Sequence, residues 1–109
     1  MRLPNGEQAN VDIRKLLDYC LNHQHPRGRN KARVFASVGI REAEVELLRT
    51  ALLAAARDGD AVSGEDNPYG KRYVIDFTLN HGDRAVKIRS AWIVASGEEL
   101  PRLTTCYVL

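Results

Sequence analysis

The stretch that decides the fold is KRYVIDFTLNHGDRAVKIRSAWIVA, residues 71–95. Apolar and polar residues alternate along its first half, and the alternation resumes after NHGD, residues 80–83. A period of two residues is typical of a β-strand with one buried face. Asn, Gly and Asp between two such strands favour a tight turn. The stretch therefore predicts a β-hairpin.

Shorter segments on both sides of the hairpin extend the sheet. RLTTCYVL, residues 102–109, has the composition of a strand that Pro101 opens. DAVSGED, residues 60–66, adds a short strand before the hairpin. We therefore expect residues 60–109 to form the sheet half of one domain that spans residues 1–109, with about four antiparallel strands.

Residues 1–59 have the period of helices instead. In NVDIRKLLDYCLN, residues 10–22, apolar residues recur at spacings of three and four, and Asp12 is the expected N-cap. REAEVELLRTALLAAAR, residues 41–57, is rich in strong helix formers. Helices followed by strands predict an α+β domain, with the N-terminal helices packed on one face of the antiparallel sheet.

A third, shorter helix is expected between these two. Asn30 is its expected N-cap, KARVFASV at residues 31–38 is its body, and Gly39 ends it. The segment before it, HPRGR, cannot be regular helix, because Pro26 drives the preceding residue toward extended geometry and Gly28 permits a turn.

The composition is that of an ordinary globular chain, with 44% hydrophobic and 28% charged residues in 109. No apolar run approaches the roughly 20 residues that span a bilayer, and the N-terminus lacks a secretory signal, so we expect a cytoplasmic protein without a membrane segment. Cys20 and Cys106 match no metal-ligand spacing. We expect reduced thiols, although a disulfide between them stays open.

The net charge of +2 is unevenly distributed. Residues 1–37 hold seven Lys and Arg against three acids, residues 40–68 hold three against seven, and residues 69–109 hold six against four. Such segregation allows one face to attract an anion while another stays acidic.

HQHPRGRNKARVF, residues 23–35, is the strongest candidate for an anion site. A helix start presents free N–H groups to an anion, and further donors come from the cationic side chains. These are Arg27, Arg29, Lys31 and Arg33. Histidine is the side chain suited to proton transfer near neutral pH, so His25 could act as a general acid or base. The alternative is a solvated basic loop in which His25 only caps a turn.

A metal site at His23 and His25 is weakly specified, because only Asp18 offers a carboxylate nearby. We therefore expect neither a metal nor a cofactor.

The sheet face that the helices leave open carries several cations. By parity its members in the hairpin are Arg72, Asp76, Thr78, Lys87 and Arg89. Asp76 is the only expected carboxylate, and the simplest role for it is counter-ion of Arg89. In the last strand we expect Leu103, Thr105 and Tyr107 to face the core, and Arg102 and Thr104 the open face, unless a β-bulge inverts this parity. Tyr107 could instead lie at the sheet edge. The pattern assigns no aromatic residue to the open face, so a stacking platform for single strands has little support.

Four segments together resemble a small bacterial domain family of unknown function: LLDYCLNHQHPRGRNKARVF, YGKRYVI, VKIRSAWIV and PRLTTCYVL. Members of that family share K-L-x-x-Y-L-L-N, H-P-x-G-x-x-K-A, Y-G-x-x-Y, R-T-x-W-I and P-R-L-V-T-A-Y. The departures are Ser90 for Thr, Thr104 for Val and Cys106 for Ala. The layout of helices before a four-stranded sheet is similar to that of the metal-independent ribonuclease toxins, which include barnase and several colicin nuclease domains.

This resemblance implies RNA cleavage by attack of a ribose 2′-hydroxyl on the neighbouring phosphorus. His25 would be the acid or base, Lys31 and Arg89 would stabilise charge, and Thr104 or Thr105 would donate a hydrogen bond. RNA would be bound by Arg27, Arg29, Arg33, Arg72, Lys87, Arg102 and Tyr107. Asp76 is a candidate for the second acid–base group, and otherwise Lys31 or Tyr107 must serve. A toxin-like nuclease also implies a cognate inhibitor or antitoxin protein.

The alternative function is a non-catalytic module that binds a protein or a nucleic acid with the same surface. The exposed edge of the last strand, residues 102–109, could also pair with an inhibitor or with a second copy of the chain. Oligomerisation is therefore an open expectation.

Overall fold

The helices precede the strands, as the sequence predicts. The computed structural model describes residues 1–109. Its helices are α1 (Ile13–Lys15), which continues into a π-helical turn (Leu16–Cys20), α2 (Arg29–Ser37) and α3 (Val45–Asp58). Short 3-10 turns lie at Gly6–Gln8 and Glu42–Glu44. The strands are β1 (Ala61–Ser63), β2 (Gly70–His81), β3 (Arg84–Ala95) and β4 (Arg102–Val108). The α+β class is confirmed.

The four strands form one antiparallel sheet in the order β1-β2-β3-β4. β2 and β3 pair without interruption, from Gly70 opposite Ala95 to His81 opposite Arg84. Gly82 and Asp83 make the turn between them, and Gly82 has φ +60°, where glycine carries no steric cost. The predicted hairpin is confirmed, and so is the short strand before it.

The core lies between the helices and one face of this sheet. α3 contacts β2 and α2 contacts β4. The largest fully buried side chains include Phe35, Leu48, Ile75, Ile88 and Trp92. Each buried side chain of this size contributes about 1.5–3 kcal/mol relative to an exposed one. The alternation in the hairpin therefore orients the sheet toward the helices.

One polar side chain is buried among these residues. The Ser90 hydroxyl donates to the Ile75 carbonyl at 2.7 Å and accepts from the Trp92 indole N–H at 2.9 Å. Both buried donors are satisfied, so the serine costs little and fixes the orientation of the tryptophan.

β4 contains a β-bulge that inverts the expected parity of its second half. Trp92 lies opposite Leu103, but Ala91 lies opposite Thr105, so Thr104 has no partner in β3. After the bulge Cys106 faces the core, whereas Thr105 and Tyr107 lie on the open face. The expectation that Thr105 faces the core was therefore wrong, and the alternative of a β-bulge is the one that the structure has. Tyr107, for which the sequence left the core and the sheet edge open, lies on this edge strand.

The helix starts are partly as expected. Asp12 caps α1 by accepting from the Arg14 N–H at 2.9 Å, as predicted. The expected cap at Asn30 was wrong, because α2 begins at Arg29 with Gly28 as its N-cap, which places Asn30 inside the first turn. Gly39 follows α2 with φ +83°, which agrees with the predicted end.

The segment before α1 lies along the outer edge of β4. The Asn10 N–H donates to the Pro101 carbonyl at 2.9 Å, and the Leu103 N–H donates to the Asn10 carbonyl at 3.0 Å. α1 begins only three residues later, so these bonds hold it beside the start of β4. None of the helices has the length and apolar character needed to cross a membrane.

Candidate nucleic-acid interface

A groove of about 1120 Å³ lies where α1 and the loop after it meet the open face of the sheet. Its helix side includes Lys15 and Tyr19, and its sheet side includes Arg72 and Arg102. This volume slightly exceeds the roughly 300–1,000 Å³ of typical small-molecule pockets. The groove is therefore large enough for a segment of a polymer.

Four cations of the groove have no acidic partner. Lys15, Arg27, Arg72 and Arg102 line it, and none of them forms a salt bridge. They belong to three different parts of the chain, namely α1, the loop after it, and the sheet. Cations that converge without matched acids favour an anionic ligand.

The two carboxylates in the groove are already engaged. Asp18 accepts from the Arg14 guanidinium at 3.2 Å, and Asp12 caps α1. Both Arg14 and Asp18 are largely exposed, so their pair contributes little to stability. Its effect on the groove is to remove one positive and one negative charge together.

His25 is held in the groove wall by the turn that it caps. Its Nδ1 accepts from the N–H groups of Arg27 and Gly28, both at 3.0 Å. Because Nδ1 is an acceptor, the hydrogen of the neutral ring is on Nε2. The ring packs edge-on against Tyr19, with centroids 4.8 Å apart. Any side chain at Gly28 would collide with the Tyr19 carbonyl oxygen, so glycine permits this close packing.

Lys31 lies behind Tyr19, not in the groove itself. Its Nζ donates to the Tyr19 hydroxyl at 2.9 Å and lies 5.9 Å from the centroid of the Tyr107 ring. Lys31 and Tyr107 line a separate hollow of about 370 Å³. The Tyr19 hydroxyl accepts from Lys31, which leaves its own hydrogen free to donate.

Arg89 is neutralised on the open face by Asp76. Its Nε and Nη2 donate to the two carboxylate oxygens, each at 2.8 Å. These hydrogen bonds hold the pKa of Asp76 below its ordinary value. They also raise the pKa of Arg89, with a smaller contribution from Tyr107. The prediction that Asp76 is the counter-ion of Arg89 is confirmed.

The predicted site residues therefore fall into three sets. The groove contains His25, Arg27, Arg72, Arg102, Thr104 and Thr105. The neighbouring hollow contains Lys31 and Tyr107. Neither contains Arg29, Arg33, Lys87 or Arg89. His25, Lys31 and Arg89 do not share a cavity. Tyr19 contacts both His25 and Lys31, and Tyr107 lies near Lys31 and opposite Arg89 in the sheet.

A family model described as a domain of unknown function, DUF6883, matches residues 2–109. The chain belongs to the DUF6883 family. No curated protein and no solved structure matches it. The expectation of a domain family of unknown function is confirmed, and the family description carries no activity.

The groove of the DUF6883 domain also contains Lys15, Tyr19 and Tyr69, to which the sequence had assigned no role. Tyr69 lines the groove and is 75% exposed. The sequence assigned no aromatic residue to this surface, whereas the groove contains two, Tyr19 and Tyr69. Tyr69 lies in the turn before β2, outside any periodic segment, so strand parity could not place it.

The two cysteines of the DUF6883 domain are free, buried and close together. Hydrogen bonds from the side chain and main chain of Cys106 lower the pKa of Cys20 to about 7, although burial opposes this. The same contact, together with burial, raises the pKa of Cys106. The domain has no group of three His, Cys, Asp or Glu side chains arranged to hold a metal ion.

Proposed function

We propose that this domain binds RNA in the groove by contacting the phosphates of the backbone. The observation that carries the proposal is the set of four groove cations without acidic partners: Lys15, Arg27, Arg72 and Arg102. Lys and Arg contacts to phosphates release condensed counterions and supply much of the affinity of such complexes.

The spacing of the cations supports an extended ligand. Arg72 and Arg102 both lie opposite Ile93, on the strands that flank β3. Their Cα atoms are thus separated by two strand spacings, about 10 Å. Lys15 and Arg27 lie on the opposite wall. A chain of phosphates can contact several of these groups at once, whereas a single small anion cannot.

The most direct test compares two double variants of equal charge. Lys15→Gln with Arg27→Gln removes two charges from the groove, and Arg29→Gln with Arg33→Gln removes two charges from outside it. Fluorescence anisotropy with a short labelled RNA measures the affinity. We expect at least about a tenfold loss for the groove variant and less than about threefold for the control.

Equal losses in the two double variants would show that only net charge matters, and absence of binding at low salt would refute the proposal directly. Circular dichroism melts check that both variants fold. All four side chains are exposed, so we expect melting temperatures within a few degrees of the parent.

Cleavage of the bound RNA is the second candidate function, and the contact of Tyr19 with His25 and Lys31 favours it. In this reaction the 2′-hydroxyl would lose its proton to solvent water and its oxygen would bond to phosphorus, while the bond from phosphorus to the 5′-oxygen breaks. The Tyr19 hydroxyl would give its proton to the 5′-oxygen, and the Lys31 ammonium would stabilise the phenolate that remains. His25 would donate from Nε2 to a phosphate oxygen.

Binding is better supported than cleavage, because cleavage would leave the proton of the 2′-hydroxyl to solvent water. Asp12 and Asp18 are engaged, and His25 uses Nδ1 to hold its own turn. The test is incubation of RNA with the protein in EDTA, followed by gel analysis. Cleavage that Tyr19→Phe and His25→Ala abolish supports the reaction, and intact RNA refutes it. A domain that cleaves RNA in its own cell would need a cognate inhibitor protein, which co-expression would reveal.

A further inference from the structure

Tyr69 is an aromatic ring held in solvent at the rim of the groove. It is 75% exposed, and no other aromatic side chain of the domain is comparably exposed. A single exposed ring is common on protein surfaces, so the significance of Tyr69 comes from its place beside the groove cations. The groove that it borders also contains three arginines without an acidic partner, Arg27, Arg72 and Arg102.

The backbone around Tyr69 is fixed on both sides. The Tyr69 N–H donates to Asn67 Oδ1 at 2.8 Å, and its carbonyl accepts from the Ser96 N–H at 2.9 Å. The Ser96 hydroxyl also donates to the Pro68 carbonyl at 2.7 Å. Gly70 has φ +148°, and any side chain there would collide with the Val94 carbonyl oxygen. The turn therefore presents the ring from a rigid support, which lowers the entropy lost when a ligand stacks on it.

Other residues that line the same groove match the parts of a nucleotide. Ile93 is only 5% exposed and forms an apolar floor, with Arg72 and Arg102 on either side of it. A nucleobase needs a flat apolar partner, and the adjoining phosphates need cations. Tyr69 supplies the first and the two arginines supply the second.

We propose that the groove binds single-stranded RNA, with one unpaired base stacked on the Tyr69 ring. This inference rests on the proposed RNA binding and narrows its ligand class. In a duplex each base is already stacked between its neighbours, so it cannot reach the ring without unpairing. The domain therefore prefers unpaired RNA to a duplex with the same number of phosphates.

The test uses Tyr69→Ala and Tyr69→Phe with three labelled probes: a short single strand, the same strand with abasic central positions, and a perfectly paired duplex. Loss of one stacked base costs about 5- to 150-fold in affinity, the equivalent of about 1–3 kcal/mol. We expect that loss for Tyr69→Ala with the intact single strand. Tyr69→Phe should bind like the parent, because the ring and not the hydroxyl makes the contact. With the abasic strand, parent and Tyr69→Ala should bind equally.

Val62→Ala is the matched control, because Val62 is 64% exposed and lies on β1, away from the groove. It should leave every affinity unchanged. If none of the three probes binds, the proposed function itself fails. If the single strand binds through the groove cations but Tyr69→Ala binds it like the parent, or the duplex binds as tightly, only the inference about Tyr69 is overturned.

Discussion

The dependence of RNA affinity on salt tests the groove quantitatively. Four unpaired cations line it, and each contact to a phosphate of a single strand changes the slope of log K against log salt by about −0.7. The parent domain should therefore have a slope of about −2.8. Replacing Arg72 or Arg102 by glutamine should reduce this to about −2.1, and replacing both should reduce it to about −1.4.

These slopes correspond to easily measured changes in affinity. Between about 50 and 200 mM salt, the parent should lose about 50-fold in affinity, each single variant about 18-fold, and the double variant about sevenfold. Anisotropy titrations of one labelled single strand at four or more salt concentrations give the slopes. Glutamine keeps much of the length of arginine and removes its charge, so the packing of Ile93 beneath it is least disturbed.

Two results would refute this account. Slopes of the Arg72 and Arg102 variants that equal the parent slope would mean that neither guanidinium contacts phosphate. A slope that Arg33→Gln lowers as much as the groove variants would place the RNA on α2, because Arg33 is exposed on that helix and lies outside the groove.

Three further predictions concern stability. Ser90→Ala should lower the free energy of unfolding by about 1–3 kcal/mol in urea, because it leaves the buried Trp92 N–H without an acceptor. Gly28→Ala should lower the free energy of unfolding by about 1–3 kcal/mol, because its methyl group would require the loop after α1 to move away from Tyr19. An equally small substitution on the open surface should have little effect on the free energy of unfolding. Between pH 7 and 9 the folded chain has lost the Cys20 proton that the unfolded chain retains, so the unfolded state binds more protons and stability should rise with pH. Cys106→Ala removes the largest cause of the lowered pKa, so urea midpoints at pH 7 and 9 should then differ less.

The hairpin could be predicted because residues close to one another in the sequence determine it. A turn of two residues fixes which residues oppose each other along both strands, so the turn at Gly82 and Asp83 places Asp76 opposite Arg89. The period of two then assigns both to the open face. The ion pair of Asp76 and Arg89 could therefore be predicted from the sequence alone.

The bulge in β4 could not be predicted in the same way. Thr104 and Thr105 are adjacent and chemically alike, so either could face the solvent. The choice depends on pairing with β3 and on the Thr104 hydroxyl, which donates to the Ala91 carbonyl at 3.1 Å. The orientation of Tyr69 could not be predicted from the sequence either, because its carbonyl is held by the N–H of Ser96, which lies far along the chain.

His25 and Arg89 are a different case, because the resemblance assigns both to one catalytic site and the structure does not bring them together. Whether they could share a site depends on the distance between a loop and a sheet. The loop packs against Tyr19 through the glycine at position 28, and that contact keeps His25 on the near wall of the groove. The chemical character of a histidine and an arginine does not predict the distance between them in the fold. Only the packing of α1 against β4 does.

The groove owes its shape to the main chain more than to the side chains that line it. The bonds of Asn10 with Pro101 and Leu103 fasten the start of α1 to the edge of β4, and the bulge at Thr104 follows directly in that strand. None of these contacts involves a charged group. The cations can therefore be replaced without dismantling the groove, and a change in RNA affinity in such variants reports on binding. Conversely, Asn10→Pro removes an N–H of this attachment, so it should weaken RNA binding with all four cations still in place. Unchanged affinity in a folded Asn10→Pro variant would show that the wall formed by α1 has no part in binding.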